Sequence, residues 1–101
     1  MKVIWSRLAI ADLVAIRAYL GEHNPEAANG VARRILHAVE LLQQQPRLGL
    51  PTHRTDVRRL IVPGTVYSLP YRVEEGTIEI LEVFDGRQRA PRTDLWSGPG
   101  D

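Results

Sequence analysis

The sequence predicts a two-layer α+β domain: an antiparallel sheet covered by an N-terminal helical hairpin, in the order β-α-α-β-β-β. Three observations predict it. Apolar residues recur every three and four positions between Ala9 and Leu42. From Val57 onward the period changes to two. Nothing between the later strands is long enough for a parallel crossover, so they pair antiparallel.

The first strand is Lys2 to Ser6, in which Val3 and Trp5 form the more apolar face. A helix follows to about Glu22, with Ala9, Leu13, Ile16, Tyr19 and Leu20 on one stripe. In "HNPEAA", Asn24 can cap a second helix, Pro25 suits its first position where no amide hydrogen is needed, and Glu26 complements the helix dipole. Ala28, Val31, Ile35, Val39 and Leu42 hold the period there, while Arg33, Arg34, His37, Glu40 and Gln43 face away, until Pro46 stops the run.

Pro46 to Asp56 has two prolines, a glycine and no period, so it reads as a connecting loop. "VRRLIVPG", "TVYSLPYRVEEG" and "TIEILEVFDG" are the three later strands, the last two joined at Glu75-Gly76. In the middle strand Tyr67, Leu69, Tyr71 and Val73 share the packing face, and Ser68, Pro70, Arg72 and Glu74 the polar one; Pro70 implies a bulge or a locally unpaired amide. In the last strand Ile78, Ile80 and Phe84 fall on one face and Leu81 and Val83 on the other, which suits a strand with neighbours on both edges.

A chain of 101 residues supports one core, assigned to residues 1–96 as a single domain. The Gly- and Pro-containing end predicts fraying over 97–101. Hydrophobic residues at 44% beside 25% charged ones are globular values and exclude intrinsic disorder. No apolar run approaches the roughly 20 residues that cross a bilayer, and the N-terminal stretch carries Arg7 and Asp12 without a cleavage site, so no membrane is expected and a cytoplasmic location is the default. With no cysteine, disulfides and thiolate metal sites are excluded.

His23, His37 and His53 stand at no metal-ligand spacing, so neither metal nor cofactor is expected. No phosphate-cradling glycine loop, dinucleotide fingerprint or nucleophile elbow occurs. A net charge of +1 argues against wholesale coating of nucleic acid. What stands out is arginine: of 13 basic residues only Lys2 is a lysine. Arg87, Arg89 and Arg92 follow the last strand on a turn set by Gly86 and Pro91, with Trp96 beyond as either an interface anchor or a residue folding back on the core. Arg72 and Arg58 or Arg59 can meet across the sheet, as solvated charge pairs with Glu79 or as part of one basic surface. Leu8, Ile10 and Val14 form a second apolar strip on the first helix, fit to receive a partner's apolar segment or to pack on the sheet edge.

"VPGTVYSLPYRVEEGTIEILEVFDGRQRAP", with the upstream "NPEAA" helix start and "P--G" loop, resembles the RelE/ParE superfamily of bacterial type II toxins, often labelled plasmid stabilisation proteins, over about residues 3 to 92. The resemblance implies a small cytoplasmic toxin causing growth arrest, with a cognate antitoxin, ParD-like or similar, encoded beside it. Two activities occur on this fold, and the fold does not choose between them. RelE-like members cut messenger RNA on the ribosome, whereas ParE-like members inhibit DNA gyrase.

Cutting RNA requires a general base, a general acid and cations over the charged phosphorane. Where the nuclease pattern "V-HG-R" commonly has His, this chain has Asp85, and no His or Tyr follows it. The reading is therefore a ParE-like gyrase-binding toxin using Arg87, Arg89, Arg92 and Trp96, with Leu8, Ile10 and Val14 facing the antitoxin and no catalytic residue. Its alternative is a ribosome-dependent endoribonuclease using Arg59, Arg72, Asp85 and Arg87.

Overall fold

The computed structural model describes residues 1–87. In chain order the elements are β1 (Lys2–Trp5), α1 (Arg7–Gly21), α2 (Pro25–Gln44), β2 (Leu50–Pro51), β3 (Val57–Ile61), β4 (Tyr67–Glu74), β5 (Thr77–Ile80) and β6 (Phe84–Asp85). The strands form one sheet in the order β1-β5-β4-β3-β2, with β6 also pairing to β4. The α+β layering follows the expectation, and β3, β4 and β5 are antiparallel neighbours. The sheet as a whole is mixed, because β1 runs parallel to β5. A helical hairpin is long enough to return the chain, so β1 and β5 can share a direction although no single crossover helix links them.

Local chemistry sets the helix ends. The Ser6 hydroxyl accepts from the Ala9 N–H at 3.0 Å, and the Asn24 side chain accepts from the Ala27 N–H at 3.1 Å, so each helix has a side-chain N-cap. Ile35, Ala38, Val39 and Leu42 of α2 pack with Leu69, Tyr71, Ile78 and Ile80 of the sheet in one core. Complete burial of a side chain such as Leu42 or Ile35 is worth about 1.5–3 kcal/mol. Val3 and Trp5 pack against this core, as the alternation in β1 requires.

Three expectations are corrected. Leu50 and Pro51, within the segment read as loop, pair antiparallel with Arg59 and Arg58 and form a two-residue edge strand; a proline is tolerated there because an edge needs no second row of donors. Tyr19 leaves the core stripe and is 65% exposed. Phe84 lies on the opposite sheet face from Ile78 and Ile80, and the cause is a bulge.

Tyr71 pairs with Ile80 and Ser68 with Phe84, so Leu69 and Pro70 on β4 oppose three residues, Leu81 to Val83. One extra residue moves every later side chain to the other face. Val83 therefore enters the core, Asp85 turns toward α1, and Phe84 lies outward beside Ser68, where the Arg59 guanidinium stands 5.8 Å from its ring centroid. Ser68 and Pro70 on the expected polar face are consequently buried, while Arg72 and Glu74 reach solvent. The bulge occurs where Pro70 stands, as expected, and the Leu81 N–H donates to the Pro70 carbonyl at 2.9 Å.

Candidate functional site

The bulge is tied to α1 by two side chains. The Ser6 hydroxyl donates to the Leu81 carbonyl at 2.8 Å, and an Asp12 carboxylate oxygen accepts from the Val83 N–H at 3.0 Å. Between the bulged strand and α1 a cleft of about 410 Å³ remains. Ala15, Ile16 and Val83 make its apolar floor, and Asp12, Tyr19, Tyr67, Asp85 and Arg87 stand around it.

Asp85 is occupied by Arg87. Its Oδ1 accepts from the Arg87 backbone N–H at 2.9 Å and from Nε at 3.0 Å, and its Oδ2 accepts from Nη2 at 2.7 Å. This bidentate, charge-assisted grip holds the Asp85 carboxyl below the usual carboxylate range and raises the Arg87 guanidinium. Burial, followed by the nearby Asp85 charge, pushes the Tyr67 phenol above its ordinary value, so it keeps its proton at neutral pH. A carboxylate with a lowered pKa and a phenol with a raised one are both displaced from the range in which a base is effective.

The candidate residues distribute unevenly. Arg87 is exposed at the rim of the cleft. Arg89, Arg92 and Trp96 lie outside the described residues. The four residues of the ribonuclease alternative are divided by the sheet. Arg59 pairs with Pro70, and Arg72 pairs with Val57 and Glu79, which places both arginines on the outer face. Asp85 pairs with Tyr67 on the helix-facing side.

Arg72 is engaged by Glu79, with Nη2 2.5 Å from Oε1, and this hydrogen bond raises its pKa. That is the cross-strand pair expected from the alternation. Arg58 is used differently, donating to the Gly49 carbonyl at 2.8 Å. On α1, Ile10 and Val14 are 52% and 64% exposed, and Leu8 is half-buried. His23, His37 and His53 are exposed, and among the described residues no group of His, Cys, Asp and Glu could hold a metal ion. No helix among the described residues is long and apolar enough to cross a membrane.

Sequence reasoning missed Asp12, Tyr19 and Tyr67 as members of one site. The proline in the strand facing "ILEVFDG" was the available signal, since a bulge there reverses the faces beyond it.

The family model for the ParE toxin of type II toxin–antitoxin systems, parDE, matches residues 3–90. The chain is 33% identical over 91 residues to Y4kP of Sinorhizobium fredii, a protein provisionally named a toxin, covering 90% of this chain and 94% of that one. It is 34% identical over 82 residues to Toxin RelE2 of Caulobacter vibrioides, covering 81% and 91% respectively. Among solved structures it is similar to a chain of the chromosomal ParDE system from P. aeruginosa, with a TM-score of 0.76 and 33% identity, over 84% of this chain and 95% of that one.

Proposed function

The chain belongs to the ParE toxin family of type II toxin–antitoxin systems, and from that premise we propose that it acts by binding DNA gyrase and stalling it, without breaking a bond, until an antitoxin neutralises it. The observation that carries this reading is the state of Asp85. It stands where a nuclease of this fold would place a proton-transfer group, and its carboxylate is held ionised by Arg87. Ionised and low in basicity, it is a poor acceptor for a 2'-hydroxyl proton. The arginines of the nuclease alternative that could cover a phosphorane, Arg59 and Arg72, belong to the other face of the sheet.

Occupancy of a target needs only a complementary surface. In this reading Arg87, Arg89, Arg92 and Trp96 supply it. Purified protein in molar excess is expected to block supercoiling by gyrase, and removal of the chain after Gly86 is expected to abolish the block while the fold persists. Undiminished supercoiling would refute the proposal. Discrete cuts in translated messages, mapped by primer extension and lost in Asp85→Ala, would establish the ribonuclease reading in its place.

Family membership implies an antitoxin partner. We assign its contact to the strip of Leu8, Ile10 and Val14, where two of three side chains are largely solvent-exposed on a helix already packed against the core by its other side. Val14→Glu is expected to weaken the toxin–antitoxin complex at least tenfold; unchanged affinity would remove the strip from the interface.

A further inference from the structure

We propose that the solvent face of α2 docks on the phosphate backbone of duplex DNA, through a row formed by Arg17, Arg33, Arg34 and His37 around Gly30. The choice of duplex DNA rests on the gyrase reading, because gyrase holds DNA while it works.

Gly30 is the first indication. It stands inside a 20-residue helix, where glycine is among the least favourable residues, yet a Cβ added there would meet nothing within 4 Å. The packing of the fold therefore gives no reason for bare backbone at this point. Gly30, Arg33, Arg34 and His37 recur at intervals of three and four residues and line one shallow depression. It lies on the side of α2 turned away from the buried Ile35, Val39 and Leu42.

The cations around that gap are positioned and little used within the fold. Arg33 is exposed and makes no hydrogen bond or ion pair with any described residue. Arg34 reaches over the turn between β3 and β4, where a Cβ on Gly64 would collide with its Nη1, and that nitrogen donates to the Pro63 carbonyl at 3.4 Å. Arg17 is brought in from α1, its Nη2 donating at 3.0 Å to Oδ1 of Asn29, the residue before Gly30. From Ala27 to Val39 the helix carries no carboxylate. The acids that share this face stand at its ends: Glu26 one turn before Gly30, and Glu40, whose Oε2 is 3.8 Å from His37 Nδ1. Arg54, Arg72 and Arg87, by contrast, are each paired with a carboxylate.

Geometry selects the anion. From Gly30 to His37 the row runs about 10 Å along the helix, so its donors follow a line and do not converge on a point. A line of cations suits a strand of successive charges better than a single ion. A phosphodiester carries its charge in the strand itself, without a stem, so the strand has to come down onto the helix surface. A missing Cβ permits that approach; a carboxylate on a flexible side chain would reach past a methyl group and gain nothing from glycine. The guanidinium fork also matches phosphate oxygens in pairs. With Glu26 and Glu40 bounding the row, the contact is local, as a net charge of +1 requires.

The test titrates the toxin, freed of antitoxin, into a fluorescently labelled DNA duplex and follows anisotropy at several salt concentrations. Arg33→Gln is expected to weaken binding about tenfold and to lower the salt dependence by roughly one phosphate contact. Gly30→Gln is expected to raise the melting temperature by about 3 °C while weakening duplex binding about fivefold. A purely structural role would move stability and binding in the same direction. Affinity within twofold of wild type for both variants would overturn the inference. Absence of wild-type binding at about 50 mM salt would overturn it as well; if that protein still blocks supercoiling, the gyrase reading stands alone. Binding lost on removal of the chain after Gly86 but indifferent to Arg33→Gln would move the contact to the C-terminal arginines and overturn the assignment to α2. Competition by polyglutamate or single-stranded RNA as effective as by duplex would overturn it in favour of an acidic protein or an RNA. Duplex binding that depends on Arg33, with supercoiling undiminished, would uphold this surface and refute the gyrase reading.

Discussion

Strand β4 presents two tyrosines on the same face, four residues apart, and its two ends use them in opposite ways. At the closed end the Tyr71 hydroxyl donates to the Pro46 carbonyl at 2.7 Å and accepts from the Gly49 N–H at 2.9 Å, fixing the segment before β2 over the core. At the open end Tyr67 lies under a cleft with its hydroxyl unpaired among the described residues. The same residue type thus ties down a returning segment at one end and lines an open cleft at the other. The difference comes from what the chain places above each ring: a returning loop in one case, a bulge that leaves a gap in the other.

The comparison can be broken most forcefully at Gly49. A Cβ there would lie 2.6 Å from Tyr71 Cε1, 2.7 Å from its hydroxyl and 3.1 Å from the Arg59 backbone carbon. Gly49→Ala is therefore expected to cost about 3 kcal/mol, the upper range for overpacking, read as a fall in the urea midpoint. A loss under about 0.5 kcal/mol, an ordinary surface value, would mean that the closed end is not packed as described.

Next in size is the pair of hydroxyl deletions. Tyr71→Phe leaves a buried N–H and a carbonyl without their partner and should cost about 2 kcal/mol. Tyr67→Phe removes a hydroxyl that makes no internal bond and should cost less than about 0.5 kcal/mol. Equal losses in denaturant would erase the distinction between the two ends.

Asp12→Ala probes what keeps the cleft open. It releases the Val83 N–H from its side-chain acceptor and is expected to cost about 1 kcal/mol, with faster amide exchange at Val83 than at Ile80. Unchanged exchange would place the anchoring of the bulge elsewhere.

The smallest effect is electrostatic. Arg87 holds the Asp85 carboxyl below its ordinary range in the folded protein, so the pair adds stability in full above the unfolded carboxylate value and loses it as pH falls through the depressed folded one. The melting temperature of wild type should exceed that of Asp85→Asn by a small, constant margin near neutrality, and the margin should close below about pH 4. A margin that persists in acid would show that the pair is held by something other than charge. The effect stays small because the Arg87 side chain is 70% exposed.

Much of the fold was legible because it is written locally. Asn24 and Pro25 mark a helix start wherever they occur before an apolar period, and Gly76 accepts the φ of 70° that the tight β4–β5 connection needs. The apolar positions of α2 lie on one side and name its buried face. Those of α1 surround the helix, so a period of 3.6 could not choose between Tyr19 and Val14, and Tyr19 was assigned to the wrong side. At the site, the turn carrying Asp85, Gly86 and Arg87 could be recognised, but their neighbours could not.

By itself the sequence determined the class of the domain, the caps and breaks of its helices, its family likeness, and the substitution of Asp85 where a histidine is commonly found, because each depends on residues close together in the chain. Only the tertiary structure decided that β1 runs parallel to β5, that Asp85 faces α1 while Arg59 and Arg72 face away, and that Tyr19, Tyr67 and Asp12 surround one cleft. The physical reason is register. A single extra residue opposite Leu69 and Pro70 reverses the side chains beyond it, and where that residue falls is settled by pairing between strands, which no local pattern specifies.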